Sequence, residues 1–447
     1  VTTGINNTLI GGLAGDALTT GSYNIAVGSG ALGTEDGNGK NVAIGYQALT
    51  VLNAGTDAFN VAIGQEAGHD LTTGIQNTLV GGLAGDSLTD ADYNVAVGVT
   101  ALGGDTLGSK STAIGYSTLV NQNFTTATDS FNTAVGFEAG QAVTTGTTNT
   151  LVGGLTGDAI TTGGNNVAMG YAALSGDTLG SRNVAIGVAA LQVQNFTTAT
   201  DAYNTAVGTL AGASVTTGVD NTLMGGLAGD ALTDADFNVA IGKSSLTADT
   251  KGNTATAVGV ATLLSQNFTT STNHYNSAFG YFAGSAITTG IQNTLLGGLA
   301  GDALTDADFN VAVGTSALGS DTLGSRSTAI GRSALNTQNF TTATNAYNVA
   351  VGMNAGLSIT TGVENTLIGS VCGDSLTDAD FNVAVGSFAL TSDTLGSHSV
   401  AVGHNALYTQ NNTTATNSYN VAVGSQAGLS VTTAQNSTFV GGLSGDA

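Results

Sequence analysis

A five-residue string recurs along the whole chain, as NIAVG at Asn24–Gly28, NVAIG at Asn41–Gly45, NTAVG at Asn132–Gly136 and NVAVG at Asn420–Gly424. The 447 residues hold 25 such units. From Asn60 the steps between unit starts run 17, 17, 17 and 21 residues, and the cycle then repeats. Four steps make a 72-residue superrepeat, marked by Asn77, Asn149, Asn221, Asn293, Asn365 and Ser437; the first cycle, from Asn7, is 70 residues long. A chain built this way buries apolar surface by stacking one unit on the next, so the repeat decides the fold class before any other feature.

A period of 17 residues is too short for helical repeats, which need about 33 residues for two helices. The apolar stretches are four or five residues long, often β-branched, and bounded by Gly, Asn, Thr and Asp, the punctuation of strands and turns. One coil of a solenoid fits this length, with like residues stacked about 4.8 Å apart. The expected fold is therefore all-β: a parallel β-solenoid (β-roll) of about 25 coils, continuous over residues 1–447. At that rise it is roughly 115–120 Å long. Because the chain opens at Val1 and closes at Ala447 inside repeats, it is read as a fragment of a longer fibrous protein.

Composition narrows the partners. Seven Lys+Arg against 30 Asp+Glu give a net charge of −23, which argues against nucleic acid and anionic membrane surfaces. No run reaches 18 apolar residues, so no membrane insertion is expected. The 41% hydrophobic content argues against disorder.

Counting the leading Asn as position one, that position is Asn in 20 of 25 units, as a stacked amide ladder at a bend requires. Position five is Gly in all 25, which points to a positive φ or a close backbone approach. Position four is always apolar and is expected to face the coil interior. Position three then faces outward, yet it is Ala in 18 units and otherwise Leu9, Leu79, Leu151, Leu223, Leu295, Leu367 or Phe439. An outward face that is never polar implies a cover, expected to be another copy of the chain, with a second sheet of the same chain as the alternative. The Ala-Leu pairs after the Gly, such as Ala48-Leu49 and Ala101-Leu102, are read as a second short strand or the corner leading into it. Aromatics that close many units, among them Tyr23, Phe59, Tyr93 and Phe131, are read as corner packing, with glycan stacking as the other use. Cys372, where sister units have Ala or Thr, is read as a small core residue.

Strings of the form [NS]-[VT]-A-[IV]-G-x-x-A resemble the head repeats of trimeric autotransporter adhesins (YadA-like), and are similar to repeats in phage tail fibres and giant surface proteins of marine bacteria. The resemblance spans all 25 units. It implies a left-handed β-roll, three chains about one axis, and a role in attachment. The adhesin coil is typically shorter, and this chain shows no coiled-coil stalk or membrane anchor.

No catalytic, cofactor-binding or metal residue is singled out. His69, His274, His398 and His404 lack metal-ligand spacing, and there is no G-x-S-x-G elbow, so no enzyme activity is expected. Calcium is the one ion the acidic loops suggest, through Asp86, Asp90 and Asp92 and their counterparts Asp230, Asp234 and Asp236, Asp302, Asp306 and Asp308, and Asp374, Asp378 and Asp380; a solvated acidic rim is the competing reading. Lys40, Lys110, Arg182, Arg326 and His398 each precede a third-type unit, most of them near the acidic loop of the coil below, and an intercoil or interchain salt bridge is expected there. Ice binding is disfavoured because FTTAT recurs only once per four coils.

These readings lead to a structural segment of an extracellular fibre, at a cell surface or on a virion. It is expected to be homo-oligomeric, a trimer before other cyclic symmetries, and to attach to a target cell surface. The alternative makes the solenoid itself a multivalent glycan-binding module.

Overall fold

The computed structural model describes residues 1–446. It is a parallel β-solenoid of about 25 turns, with no helix among the described residues, and it divides after Asn221 into two compact units. The first unit holds twelve of the recurring strands and the second thirteen. Each strand is three residues long and occupies positions two to four, as in Thr78–Val80, Val95–Val97 and Thr112–Ile114. Stacked strands pair in parallel and in the register of the repeat: Thr78 with Val95, Leu79 with Ala96, Val80 with Val97. The Ala-Leu segments are corners rather than strands. A second set of strands does exist, but each is only two residues long, Gly108–Ser109 pairing with Thr128–Asp129 and likewise in the later superrepeats.

Position five must be Gly for two reasons at once. Gly98 has φ 141°, and a Cβ placed on it would lie 2.1 Å from the carbonyl oxygen of Gly115 in the next coil. Further corners use left-handed residues that are not glycine, such as Ser117 (φ 50°), Leu119 (φ 50°) and Phe131 (φ 51°). Each costs about 1 kcal/mol, and main-chain bonds to adjacent coils hold them, for example Ser117 N–H to Val99 O at 3.0 Å.

The inside–outside assignment of the strand is the reverse of the expectation. Position three is the buried one: Leu79, Ala96, Ala113 and Ala134 are 0% exposed. Position four faces out, with Ile114 38%, Met169 40% and Leu296 50% exposed. A three-residue strand turns only its middle side chain inward, and the coil is so thin that Ala nearly fills its share. The remaining volume comes from position nine, and the two positions trade size. Ala96 and Ala113 sit with buried Leu102 and Leu119. Where position three is Leu79, position nine is glycine in its own coil and in the coil before. A Cβ on Gly85 or Gly68 would come 2.9 or 2.7 Å from a Leu79 methyl. That large-for-small exchange is how a core reaches close packing.

The Asn ladder is confirmed and has a definite chemistry. Asn149 Oδ1 accepts the main-chain N–H of Asn166 in the next coil at 3.0 Å, and its Nδ2 donates to Gly163 O within its own coil at 3.0 Å. The same two bonds recur from Asn77 to Asn94 N and Ala91 O, and from Asn293 to Asn310 N and Ala307 O. Only an amide of this length offers an acceptor and a donor in those two directions.

Candidate functional site

Two kinds of special position emerge, one inside the coil and one on its surface. Inside, position twelve is apolar in two of four unit types (Leu88, Val143) and polar in the other two, where the side chains are equally buried. Asp105, 0% exposed, accepts hydrogen bonds from Gly108 N and Phe124 N, both at 3.1 Å, and from Gln122 Nε2 at 2.6 Å. Gln122 also donates to Ser111 Oγ at 2.8 Å and accepts from Asn132 Nδ2 at 2.8 Å. The ladder bond that Ser111 cannot make is taken over by Ser130 Oγ, which accepts Asn132 N–H at 3.3 Å. Asp177 with Gln194 and Asp249 with Gln266 repeat the pairing at 2.6 Å, and Asp321 with Gln338 and Asp393 with Gln410 continue it. Burial pushes the Asp177 carboxyl up despite its donors Gln194, Gly180 and Phe196. The sequence carried the signal, an Asp followed by a Gln 17 residues later in every third-type junction from Asp105 on, but composition alone gave no reason to place a carboxylate in a core.

The first superrepeat breaks this rule. Glu35 stands for Asp and Leu52 for Gln, both fully buried, and Glu35 Oε2 has no partner. Burial holds the Glu35 carboxyl above its ordinary range. In the fourth, His274 takes the place of Ser130 and Ala202. It stacks on Phe268 at 5.0 Å, lies 2.9 Å from Gln266 Nε2, and is 3.9 Å from Asp249. Desolvation lowers it to about 4, against the opposing pull of Asp249.

On the surface, the outer face of the recurring strand carries no charged residue at positions two or four in any of the 25 units. Position two is Val, Ile, Thr or Ser, and position four is Ile, Val, Leu, Met or Phe. Where position four holds Phe279, position two is Ser277, the one Ser in that row. Next to this face, position six varies from coil to coil and includes exposed Tyr46, Tyr116, Phe137, Tyr171 and Tyr281. Tyr116 and Phe137 stack at 5.5 Å.

The closing aromatics are not packed in corners. Tyr93, Phe131 and Tyr203 are about half exposed, and the basic residues of the neighbouring coil lie over such rings: Lys40 on Phe59 at 4.8 Å, Lys110 on Phe131 at 5.3 Å, Arg326 on Phe309 at 4.6 Å. The charges pair with the coil that follows, not with the acidic loop below. Lys40 meets Asp57 at 2.8 Å, Lys110 meets Asp129 at 2.5 Å, Arg182 meets Asp201 at 3.1 Å, and Arg326 donates to Asn345 Oδ1 at 3.1 Å. His398 lies between Phe381 and Tyr419, at 4.9 and 5.0 Å. The acidic loop reaches Lys110, Arg326 and His398 through its main chain, as in Lys110 N–H to Asp92 O at 3.0 Å. Lys251, 3.9 Å from Asp234, is a basic residue that does face an acidic loop.

The loop carboxylates are engaged with the preceding coil. Asp92 Oδ1 accepts Ile75 N–H at 2.8 Å, and Asp90 Oδ1 accepts the Thr73 hydroxyl at 2.6 Å. Asp308 and Asp306, and Asp380 and Asp378, do the same. Asp86 and Asp302 are half-buried, which raises both carboxyls. Among the described residues, no three His, Cys, Asp or Glu side chains converge as metal ligands would. His69 pairs with Asp70 at 2.6 Å, and His404 meets Phe388 edge-on at 6.3 Å. Cys372 is fully buried as expected. Its thiol donates to Ala384 O at 3.2 Å and is pushed up to about 12 by burial.

No protein-family model matches the chain, and no curated protein matches it.

Proposed function

We propose that this chain is a shaft or head segment of an extracellular adhesive fibre, built from several parallel copies as in the adhesin heads its repeats resemble. One observation carries the reading: a stacked sheet whose outer face is free of charge, with an unbroken apolar row at position four beside Val, Ile, Thr or Ser at position two, in a chain of net charge −23. An apolar sheet face of this extent is rarely left in water. With strands about 10 Å wide and 4.8 Å apart, the twelve of one unit and thirteen of the other each present roughly 600 Å². A patch of that size on either unit is at the upper end of what a monomer exposes and marks an interaction site. A second copy is the natural cover, because only an object with the same rise per coil meets every row in register. The exchange of bulk at Ser277 and Phe279 supports this, since an open surface needs no volume compensation. The interface thus moves from position three, where it was expected, to positions two and four. Acidic groups on the remaining sides keep assembled fibres apart.

Light scattering on the purified chain should return a multiple of 43.7 kDa, and the multiple gives the symmetry. Ile114→Lys combined with Met224→Lys should reduce that mass. Both residues are over a third exposed in the single chain, so the variant loses little of its own stability, within about 0.5 kcal/mol per site. A wild-type monomer at micromolar concentration would overturn the proposal. A second reading, direct glycan binding, is favoured by the exposed aromatics of position six, where coils differ from one another. Loss of cell attachment on Tyr116→Ala and Phe137→Ala, with assembly intact, would select it.

A further inference from the structure

The 21-residue units contain a feature with no role so far. Each carries Asn-x-Thr at the start of its inserted segment: Asn123-Phe124-Thr125, Asn195-Phe196-Thr197, Asn267-Phe268-Thr269, Asn339-Phe340-Thr341 and Asn411-Asn412-Thr413. This is the acceptor pattern for N-glycosylation, which excludes only Pro at the middle residue, and the chain contains no Pro. In all five copies the structure presents the tripeptide in one way. The Asn and the Thr are exposed and the middle residue is buried, with Phe124, Phe196 and Phe340 each 5% exposed. The buried side chain anchors the corner, so its two neighbours point into solvent.

The acceptor amide is oriented as well as exposed. A Thr hydroxyl of the preceding coil donates to the Asn Oδ1: Thr106 to Asn123 at 3.0 Å, Thr178 to Asn195 at 2.8 Å, Thr250 to Asn267 at 3.1 Å, Thr322 to Asn339 at 3.0 Å and Thr394 to Asn411 at 3.3 Å. Those bonds hold the carbonyl side against the coil and turn Nδ2 away from it. Among the described residues, none donates to or accepts from Nδ2 of these five Asn or the hydroxyl of the five Thr, all of which are exposed. A purely structural Asn in this row needs only the acceptor; the exposed Thr two residues on contributes nothing to that bond.

We infer that Asn123, Asn195, Asn267, Asn339 and Asn411 are N-glycosylation sites, one in each 72-residue superrepeat from the second onward. The co-substrate is a diphosphate-activated sugar, on a nucleoside or a lipid carrier. The amide nitrogen attacks the anomeric carbon, a C–N bond forms, and the C–O bond to the diphosphate breaks. The amide proton passes to a base of the transferase, and the diphosphate leaves. Within each unit of the solenoid the saccharides would recur every four coils, about 19 Å apart. They would project from position thirteen, which lies outside the three-residue strands whose face is proposed for assembly, so the inference is argued from other residues than that assembly.

Asn412 supplies an internal control. It too begins an Asn-x-Thr tripeptide, Asn412-Thr413-Thr414, but it is 4% exposed and its Nδ2 donates to Ser418 Oγ at 3.0 Å. The test is peptide mapping by electron-transfer mass spectrometry of the protein isolated from its native source. Peptides covering the five sites should carry saccharide mass on the named Asn, and Asn412 should be bare. Bare Asn at all five sites would overturn the inference. Expressed in the same source, Thr125→Ala should abolish modification at Asn123 alone, with the other four sites and the melting temperature unchanged. Retained modification at Asn123 in that variant would equally overturn it.

Discussion

Replacing one rung of the Asn ladder isolates the interaction that defines the repeat. In Asn149→Leu the branched heavy-atom shape is kept at a residue that is 0% exposed, so the change removes both hydrogen-bonding groups, and the added methyl bulk can only deepen the loss. Two partners are orphaned: Asn166 N–H, 3.0 Å from the lost Oδ1, and Gly163 C=O, 3.0 Å from the lost Nδ2. Each unsatisfied buried group costs about 1–3 kcal/mol, so the expected loss is about 2–6 kcal/mol. In a solenoid, neighbours are coupled coil to coil, and the damage should be local. Hydrogen exchange is therefore the first assay. The Asn166 amide should exchange at least ~10-fold faster, as a local loss of 1.4 kcal/mol implies, while the Asn310 amide, bonded to Asn293, keeps its rate. Denaturant unfolding gives the global figure. Asn149→Asp retains the acceptor and should protect Asn166 N–H better than Leu does. Exchange of Asn166 unchanged within twofold, together with a stability change under about 0.5 kcal/mol, would refute the two-bond account.

Four further outcomes follow from the same geometry. Glu35, buried with one oxygen unpartnered and its pKa raised, favours the protonated fold. Its contribution is present below the unfolded pKa and lost as pH rises through the folded one, so Glu35→Gln should raise the melting temperature at pH 7 and leave it unchanged near pH 4. His274, lowered to about 4, acts in the opposite direction: stability falls as pH drops from about 6.5, and His274→Ala, the residue of sister positions Ala202 and Ala346, should flatten that acid limb in melting curves. The Cys372 thiol, buried and raised to about 12, should resist a thiol reagent in the native protein and react fully in denaturant. EDTA should not shift the melting temperature, because Asp90 and Asp92 already bond Thr73 and Ile75; a drop of several degrees would reveal a structural cation in the acidic loops.

What the sequence determined by itself was everything set by period and by single-residue necessity. Seventeen residues with short β-branched strings leave a stacked parallel coil as the compact solution. Asn at position one and Gly at position five are dictated by bonds and contacts made to the adjacent copy of the same residue. Cys372 was legible for the same reason, as one of a row of small buried side chains. The facing of the strand was not legible, because with apolar residues at positions three and four and Val or Thr interchanging at position two the alternation that betrays an inside and an outside is missing. Only the folded coil decides it, through the fit of Leu79 between Gly68 and Gly85, residues that are distant in the string and adjacent in the core. The buried Asp105–Gln122 pair and the turn of Lys110 toward Asp129 were hidden likewise. Each joins side chains 17 or 19 residues apart, and which neighbour a polar group chooses depends on which hydrogen-bonding partners the stacking has already occupied.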